Sequence, residues 1–270
     1  DLISKKAYPN EGKLGEDIPD EMQTAVDEAR TKLMEAAAEG DDSLMEKYFE
    51  NGILSDEELL RGLKAVIKAG TYIPVFATAG AHEKGVIPLL DSIIDLMPSP
   101  LEIPAINAMG KNGEESLTAS DAGPLAIYVW KTTADPYVGK LTYFRVYSGM
   151  LQADSRIWNQ IKGAEERMAS LAVLRGKESI PQKVIHAGDI GIVAKLSVTS
   201  TGDTLCDKGH PLTLPKPQYP HALFRVAISP KTQADAAKIS PTLARLCEED
   251  MTLSWYNEPS TLQTILQGMG

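Results

Sequence analysis

The sequence predicts a multidomain protein that combines α/β, all-β and α+β parts, and three patterns along its 270 residues carry that prediction. Apolar residues recur at helical spacing through the first 70 residues. Short runs of alternating polarity, separated by glycine turns, dominate residues 124–219. From residue 222 the order becomes strand, helix, strand, strand. Since a chain of this length can hold two or three domains, each pattern is expected to mark one domain or a large part of one.

The helical pattern contains three helices with start and stop signals. The acidic, proline-containing stretch Asp17–Glu21 opens the first helix, which ends at Gly40. The second ends at Asn51–Gly52. A capping box, Ser55–Glu58, opens the third, which stops at Gly70. The apolar positions expected to face the core are Met22, Val26, Ala29, Leu33, Leu44, Met45, Tyr48, Phe49, Leu59, Leu63, Val66 and Ile67.

A strand, a turn and a helix are expected next. The apolar run Tyr72–Ala77 is predicted to be a buried strand, although Pro74 weakens it. Thr78–Ala81 follows as a turn of small residues, and an apolar helix runs from Gly85 to Pro98. This order forms an α/β unit, in which ligands bind beyond the carboxyl end of the strand.

Residues 99–121 are interpreted as a linker, proline-rich at its start and polar after Gly110. The pair Gly110–Lys111 lacks the upstream glycine and the following Ser or Thr of a phosphate-binding loop. From Pro124 to about Tyr219, many short strands predict a closed or nearly closed antiparallel barrel. The expected strands are Leu125–Lys131, Lys140–Tyr147, Arg156–Asn159, Arg167–Leu174 and Gly191–Leu196.

The strand Lys140–Tyr147 shows the clearest alternation and follows a turn at Asp135–Pro136. Phe144 and Val146 are expected to face the core. The residues expected on the outer face are Tyr143, Arg145 and Tyr147.

Three polar residues of the barrel loops are given structural roles. His186 has no cluster of metal-ligating residues around it in sequence, so an exposed loop histidine is expected. Asp189 and Asp203 each follow a glycine and are expected to fix turns through local side-chain hydrogen bonds. No catalytic residue and no metal site is predicted.

After His221 the pattern changes to a strand, a helix and two further strands. These are Ala222–Ser229, Ala234–Asp250, Met251–Tyr256 and Thr261–Gln267. They indicate the beginning of a split β-α-β, ferredoxin-like unit. The apolar stripe of the helix is expected to consist of Leu243, Leu246 and Cys247.

The net charge of -10 is distributed unevenly. Residues 1–121 hold 11 basic and 24 acidic side chains, whereas residues 122–222 hold 12 basic and 8 acidic ones. An acidic front and a mildly basic middle indicate different partners. No apolar run is long enough to span a membrane, and two separated cysteines fit a cytoplasmic chain.

Five strings resemble bacterial translation elongation factor G, in the order and spacing of that family. They are DPYVGKLTYFRVYSGM from Asp135, HAGDIGIVAKL from His186, TGDTL from Thr201, SPKTQADAAKISPTLARLCEED from Ser229 and QTILQGMG at the end. Together the matches cover nearly the whole chain, so the resemblance is specific.

The resemblance implies four segments. Residues 1–98 would be the C-terminal part of a P-loop GTPase domain with its helical insertion, and residues 99–121 a linker. Residues 122–221 would be the translation-factor β-barrel, domain II, and residues 222–270 an incomplete ferredoxin-like domain III. Because the chain begins at Asp1 in mid-domain, we expect a central fragment of a longer protein.

In the family, the turn within Thr78–Val86 is the last guanine-binding motif. The chain has TAGAHEKGV where the family has GSAFKNKGV, so the family's Ser-Ala falls on Ala79 and Gly80. The resemblance implies that backbone N–H groups of Ala79, Gly80 and Ala81 would bind the guanine base of GTP, without help from a serine hydroxyl.

The resemblance also implies what the parent protein does. It would be a ribosome-dependent GTPase that uses GTP and Mg²⁺ to move tRNA and mRNA. The chain contains no GxxxxGK[ST], DxxG or NKxD motif, which supply the phosphate, Mg²⁺ and base contacts. We therefore expect this chain itself to be inactive and to need no cofactor.

The partners implied by the resemblance are ribosomal. The acidic insertion would face the stalk protein, and the barrel would lie on small-subunit ribosomal RNA. The candidates for RNA contact in the basic segment are Lys140, Arg145, Arg156, Arg167 and Arg175. Neither DNA nor a membrane is expected as a partner.

Two alternatives stay open. The departure at Ala79 and Gly80 is compatible with an elongation factor G paralogue that acts in ribosome recycling or protection. A standalone barrel-type module for oligosaccharide or single-stranded nucleic acid would use aromatic residues between basic ones, as at Tyr143, Arg145 and Tyr147. Such outward aromatic side chains also commonly pack against a neighbouring domain.

Overall fold

The computed structural model describes residues 1–9, 15–135 and 137–270, and the chain divides into two units, Asp1–Ile103 and Pro104–Gly270. The first unit consists of helices and loops, and the second of strands and a helix. Pro136, part of the turn expected before the clearest strand, lies outside the described residues.

The helices of the first unit follow the predicted signals. They are α1 Gln23–Ala38, α2 Asp42–Asn51, α3 Asp56–Ala69 and α4 Val86–Leu96, with 3₁₀ turns at Asp20–Met22, Gly80–His82 and Pro100–Glu102. Ser55 and Glu58 form the predicted capping box at the start of α3. Gly52 and Gly70 end α2 and α3 in the left-handed region, at φ 72° and 74°. A hydrogen bond from Lys47, followed by one from the Ser55 N–H, lowers the pKa of Glu58 to about 2.

Helices α1 and α3 touch at a glycine. A Cβ on Gly62 would lie 2.2 Å from the carbonyl oxygen of Ala37, so only glycine allows this close approach. Arg30, 8% exposed, donates to the carbonyl of Leu2 at 2.6 Å and also binds the Asp56 carboxylate. This buried guanidinium ties the N-terminal segment to α1 and to the start of α3.

The apolar stripe predicted for α3 is buried as expected, whereas those predicted for α1 and α2 are buried only in part. Met22, just before α1, is 52% exposed, and Phe49 of α2 is 80% exposed. The buried residues of α1 are Arg30, Met34 and Ala36 to Ala38. The alanine-rich end of α1 supplies the contact because small side chains let the backbones of α1 and α3 approach.

The prediction of a buried strand at Tyr72–Ala77 is wrong. The run forms no strand, and Ile73 and Val75 are 80% and 90% exposed. A strand needs a neighbouring backbone to pair with, and none of the described residues pairs with this run. Pro74 removes one donor as well. The expected α/β unit is therefore an extended segment, a turn and α4.

The second unit contains a hairpin followed by a curled antiparallel sheet. Its strands are β1 Ile106–Gly110, β2 Gly113–Leu117, β3 Ala126–Asp135, β4 Gly139–Ser148, β5 Leu151–Gln152, β6 Ser155–Asn159, β7 Ala164–Met168, β8 Leu171–Arg175, β9 Glu178–Gln182, β10 Val184–Ile185, β11 Ile190–Ala194, β12 Thr204–Cys206 and β13 Leu212–Thr213. Eight of them pair in the order β7-β6-β12-β3-β4-β11-β8-β9, while β10 pairs with β5 and β1 lies between β13 and β2. Among the described residues the edge strands β7 and β9 do not pair, so the predicted barrel is a half-barrel.

The alternation predicted for Lys140–Tyr147 is confirmed. Phe144 and Val146 have no exposed surface, and they pack with Ile127 and Val129 of β3 in the main core. The alternate residues of β4 stay partly exposed on the outer side of the sheet. One face of this sheet therefore supplies the main core, and part of the other face is covered by the β1–β2 hairpin.

The interpretation of residues 99–121 as a linker is wrong over residues 106–117, which form the β1–β2 hairpin. Ala108 and Leu117, 1% and 4% exposed, pack on Leu212 and Leu214. The apolar residues Ala108 and Leu117 of this otherwise polar stretch are thus buried, and Ile106 is half-buried. Gly110 and Lys111 lie at the hairpin turn.

The single strand expected over Arg167–Leu174 is divided into β7 and β8, with a break at Ala169–Ser170. These strands lie near opposite edges of the eight-stranded sheet. The chain must cross between the two edges, which one continuous strand could not do.

A buried carboxylate fixes the loop between β11 and β12. Glu166, 6% exposed, accepts hydrogen bonds from the N–H groups of Val198 at 2.8 Å and Thr199 at 3.0 Å, and from Ser197 at 3.3 Å. Burial on its own would raise the pKa of Glu166, but the hydrogen bonds outweigh burial and lower it.

A second carboxylate completes the same loop. Asp203, 3% exposed, accepts from the N–H of Ser200 and from Asn159 Nδ2, each at 2.9 Å. The prediction that Asp203 fixes a turn is therefore confirmed. The same prediction is wrong for Asp189, whose side chain makes no hydrogen bond among the described residues. Its backbone N–H holds the turn instead, donating to the carbonyl of His186 at 3.1 Å.

The end of the second unit has the predicted strand–helix–strand–strand order. Its elements are β14 Phe224–Ile228, α5 Gln233–Glu249, β15 Ser254–Glu258 and β16 Gln263–Gly268. The three strands pair antiparallel in the order β14-β16-β15. Leu243 of α5 is buried, and Leu246 and Cys247 are half-buried, as their positions in the predicted stripe require.

We predict that Glu166→Gln lowers the free energy of unfolding by about 2 to 3 kcal/mol, because an amide cannot replace a buried carboxylate that accepts several N–H donors. Since folding lowers the pKa of Glu166, its contribution is present above the unfolded-state pKa of about 4.3 and is lost as pH falls. The variant should therefore show a weaker loss of stability on acidification.

Urea unfolding at several pH values tests this expectation. Glu165→Gln, on the same strand but exposed and paired with Arg156, is the matched control and should change stability little. Equal stability losses for the two variants would contradict the role given to Glu166.

Candidate functional site

The turn expected to meet a guanine base has a defined backbone geometry. Ala79 and Lys84 form an antiparallel bridge, with Ala79 N–H to Lys84 carbonyl at 3.0 Å and the reverse bond at 3.2 Å. The N–H groups of Gly80 and Ala81 donate to no acceptor within the described residues. Of the three predicted donors, Ala79 is thus occupied, while Gly80 and Ala81 present adjacent free N–H groups on an exposed turn.

Beside this turn the first unit has a largely apolar groove of about 800 Å³. Its lining includes the exposed run Tyr72–Ala77, Pro88 and Leu89 of α4, and Lys84 from the turn. The free N–H groups of Gly80 and Ala81 could donate to a carbonyl oxygen near its edge. They offer nothing of the kind that a polyphosphate needs, such as a glycine-rich loop followed by a lysine.

Four of the five basic residues proposed to contact RNA are already in ion pairs. Arg156 lies 2.8 Å from Glu165, Arg167 3.1 Å from Asp154, and Arg175 2.8 Å from Glu178. Lys140 pairs with Glu248 of α5. These four are not gathered on one strand, and each pair reduces the local positive potential, so the candidates form no uniform basic surface.

The register of β6 and β7 explains two of these pairs. Arg156 lies directly opposite Arg167, a repulsive arrangement of like charges. Each arginine reaches an acid, Glu165 or Asp154, and these acids screen the repulsion. The arginines keep 74% and 67% of their side chains exposed, so they can still exchange these partners for phosphates.

The fifth candidate, Arg145 of β4, differs from the others. Its guanidinium lies over the ring of Tyr147, 5.2 Å from the ring centroid, and it has no ion pair among the described residues. Its Nε is buried without a hydrogen-bond partner. Trp130 and Tyr143 lie on the same side of the sheet, with ring centroids 5.5 Å apart.

The structure also contains a contact that sequence reasoning missed, between the barrel and the C-terminal end of α5. The Glu248 carbonyl accepts from Thr201 Oγ1 at 2.9 Å, and Thr132 Oγ1 lies 3.0 Å from Thr201 Oγ1. The N–H of Ala134 donates to Glu249 Oε1 at 3.0 Å. The last carbonyls of a helix lack intrahelical partners, so barrel hydroxyls here satisfy one of them. We call this contact the helix–barrel joint.

His186 is exposed in its loop, as expected, but it has a partner. Its Nδ1 lies 2.8 Å from Asp121 Oδ2, and the N–H of Ala187 donates to Asp121 Oδ1 at 2.9 Å. The backbone bond first, and His186 second, lower the pKa of Asp121. In the described parts of the chain no group of three or more His, Cys, Asp or Glu side chains could hold a metal ion. No described helix is long and apolar enough to cross a bilayer.

Comparison with known proteins agrees with these domains. Residues 124–208 match the family described as elongation factor G domain 2, and residues 219–270 match elongation factor G, domain III. A crystal structure of a protein from Thermus thermophilus is 28% identical in sequence, with a TM-score of 0.78. All of this chain, but only 39% of that chain, is covered by the match.

The half-barrel followed by a ferredoxin-like unit therefore defines a translation-factor architecture. The two consecutive domain matches identify the branch: the chain belongs to the elongation factor G family.

We predict that Thr201→Val loosens the helix–barrel joint, because it removes the hydroxyl that donates to the Glu248 carbonyl. The expected loss is about 1 to 2 kcal/mol of local stability, seen as faster amide exchange in residues 233–249. Hydrogen–deuterium exchange measured by mass spectrometry reports this directly. Thr133→Val, next to Thr132 on β3, is the control and should leave the exchange of α5 unchanged. If amide exchange in α5 is also unchanged in Thr201→Val, Thr201 does not hold α5 against the barrel.

Proposed function

We propose that this chain serves in a ribosome-dependent GTPase of protein synthesis, which promotes movement of tRNA and mRNA through the ribosome in the cytoplasm. The observation that supports this most is the match to two consecutive domains of elongation factor G, in their order along the family. A standalone barrel-type binding module would not explain the ferredoxin-like unit that follows the barrel and touches it through the helix–barrel joint.

Within that role, the second unit is proposed to contact small-subunit ribosomal RNA. The support is the charge of residues 122–222, which hold 12 basic and 8 acidic side chains although the net charge of the chain is -10. Arg156, Arg167 and Arg175 keep most of their side chains exposed. Binding through such residues releases counterions and weakens with salt. The acidic first unit, with its helical insertion, is proposed to face the stalk protein.

The base end of a GTP site is proposed at the turn Ala79 to Ala81. Two free N–H groups, those of Gly80 and Ala81, fit a single carbonyl oxygen of a guanine base. GTP and Mg²⁺ would supply the phosphoryl chemistry of the whole protein. In this chain the N–H groups of Gly80 and Ala81 would only help to orient the guanine base.

A second candidate within the same family is a paralogue that acts in ribosome recycling or protection. The observation that favours it is the sequence TAGAHEKGV, in which Ala79 replaces the serine of the usual guanine-binding motif. Measuring translocation and recycling by the full-length protein separates the two, because each reaction requires a different ribosomal substrate.

The chain should pellet with small ribosomal subunits at low ionic strength and lose binding as salt rises. Each phosphate contact contributes roughly 0.7 to 0.9 to the slope of log affinity against log salt. The double variant Arg156→Gln, Arg167→Gln should therefore bind more weakly and with a smaller slope. The control Arg61→Gln, Lys68→Gln makes the same charge change in the acidic first unit and should bind like the parent chain. No pelleting at low salt, or salt-independent pelleting, would contradict this account.

We predict no measurable binding of GTP to the chain by isothermal titration calorimetry. Phosphate contacts and Mg²⁺ provide most of the affinity for a nucleoside triphosphate, and two N–H groups at the base edge cannot replace them. Guanosine serves as the comparison ligand. A saturable heat with GTP but none with guanosine would show that the chain holds a phosphate site that its sequence does not indicate.

A further inference from the structure

The outer side of β3 and β4 carries aromatic and basic side chains next to each other. In the register of these strands Lys131 lies opposite Tyr143, and Tyr128 lies opposite Arg145. Residues that face each other across a strand pair project to the same side of the sheet. We refer to Trp130, Lys131, Tyr143 and Arg145 together as the β3–β4 outer face.

Trp130 is placed on this face by a β-bulge. The register shifts between Val129 and Lys131, so Trp130 has no partner on β4. An extra residue of this kind re-aims its side chain, which explains why a tryptophan 41% exposed stands beside the core residue Val129. The Trp130 ring lies 5.5 Å from that of Tyr143 at 56°, and the pair forms a wide aromatic surface.

The other outward aromatic residues of this sheet are covered by the chain itself. Tyr147 and Trp158 pack against the core formed with the β1–β2 hairpin. Trp130 belongs to none of the core clusters formed by the described residues. Its exposure is therefore specific to the bulge and is not shared by all outward aromatics.

Two cations of this face are free of acids. Lys131 is exposed, and neither it nor Arg145 has an ion pair among the described residues, unlike the other four candidates. The nearby carboxylates bind backbone groups instead: Asp135 accepts from the N–H groups of Val138 and Tyr137, and Glu249 from that of Ala134. Lys131 and Arg145 therefore need not give up an acidic partner in order to bind a phosphate.

We propose that the β3–β4 outer face binds an unpaired RNA nucleotide, with the base stacked on Trp130 and Tyr143 and the flanking phosphates on Lys131 and Arg145. Aromatic platforms between basic residues recognise single strands in this way, because every base has a face that can stack. Two cations without an acidic partner, on the same strands as the two rings, favour RNA over an apolar protein partner. The proposal rests on the RNA-binding role proposed above and gives it a location.

Fluorescence anisotropy of a labelled oligouridine RNA with the whole chain tests this at low ionic strength. Trp130→Ala should weaken binding roughly tenfold, as expected for loss of one stacked base. Trp130→Phe should restore much of the affinity, and Lys131→Gln should lower both the affinity and its salt dependence. Tyr137→Ala removes a 96% exposed aromatic ring in the adjoining β3–β4 loop and should bind like the parent chain.

The possible results are distinguishable. RNA binding that is equal for the parent chain and Trp130→Ala overturns the proposal, and so does the absence of oligouridine binding by the parent chain. If that parent chain still pellets with small subunits in a salt-dependent manner, the ribosomal RNA role stands and only the stacking face fails. If Trp130→Ala reduces pelleting but leaves oligouridine binding unchanged, the face binds a ribosomal protein, and the RNA proposal is wrong.

Discussion

The second unit depends on two carboxylates buried beside the loop between β11 and β12. Glu166 binds the N–H groups at residues 197–199, and Asp203 binds the N–H of Ser200. The loop has no regular secondary structure, so these hydrogen bonds are what define its path. Burying a carboxylate destabilises the fold unless such donors surround it. The pKa of Glu166 is lowered because the hydrogen bonds to its carboxylate outweigh the effect of burial.

The fixed loop then places the contact with α5. Thr201 donates to the Glu248 carbonyl, and Gly202 donates its N–H to the carbonyl of Val129 at 2.7 Å. Lys140 of β4 pairs with the Glu248 carboxylate next to the same helix end. A cation near a helix C-terminus also interacts favourably with the helix dipole. The barrel thus positions α5, and through α5 it positions β15, which packs beside that helix. Loss of the hydrogen bonds to Glu166 should therefore also destabilise α5, although Glu166 does not contact that helix.

Local signals in the sequence predicted the parts of the fold that depend on local physics. The capping box at Ser55 and the alternation that buries Phe144 need only neighbouring residues, and both are confirmed. The run Tyr72–Ala77 looked like a strand because it is apolar, but a strand exists only with a partner, which no sequence window reveals. The β1–β2 hairpin was missed for the converse reason, since the apolar residues that cover it arrive about a hundred residues later.

In the candidate sites, too, the sequence identified individual residues, whereas their partners and exposure depend on parts of the chain that are distant in sequence. The five basic residues could be picked from the sequence, but their acidic partners depend on strand register, as at Arg156 and Arg167. The exposure of Trp130 depends on a bulge that has no sequence signature here. Thr201 and Glu248, 47 residues apart, meet only because the loop and the helix are both folded.

Ion pairing limits how the chain can hold a nucleic acid. When an arginine is already paired with an acid, a phosphate must replace that acid, so the net gain is smaller than for a free cation. Strong attachment through any one of these residues is therefore not expected, and affinity must come from several weak contacts acting together. A rigid surface favours this combined binding. One contact raises the effective concentration for the next only when the geometry lets all of them bind the nucleic acid at the same time. The buried carboxylates and the helix–barrel joint supply that rigidity, since Glu166 precedes Arg167 on β7 and Thr132 of the joint follows Lys131 on β3.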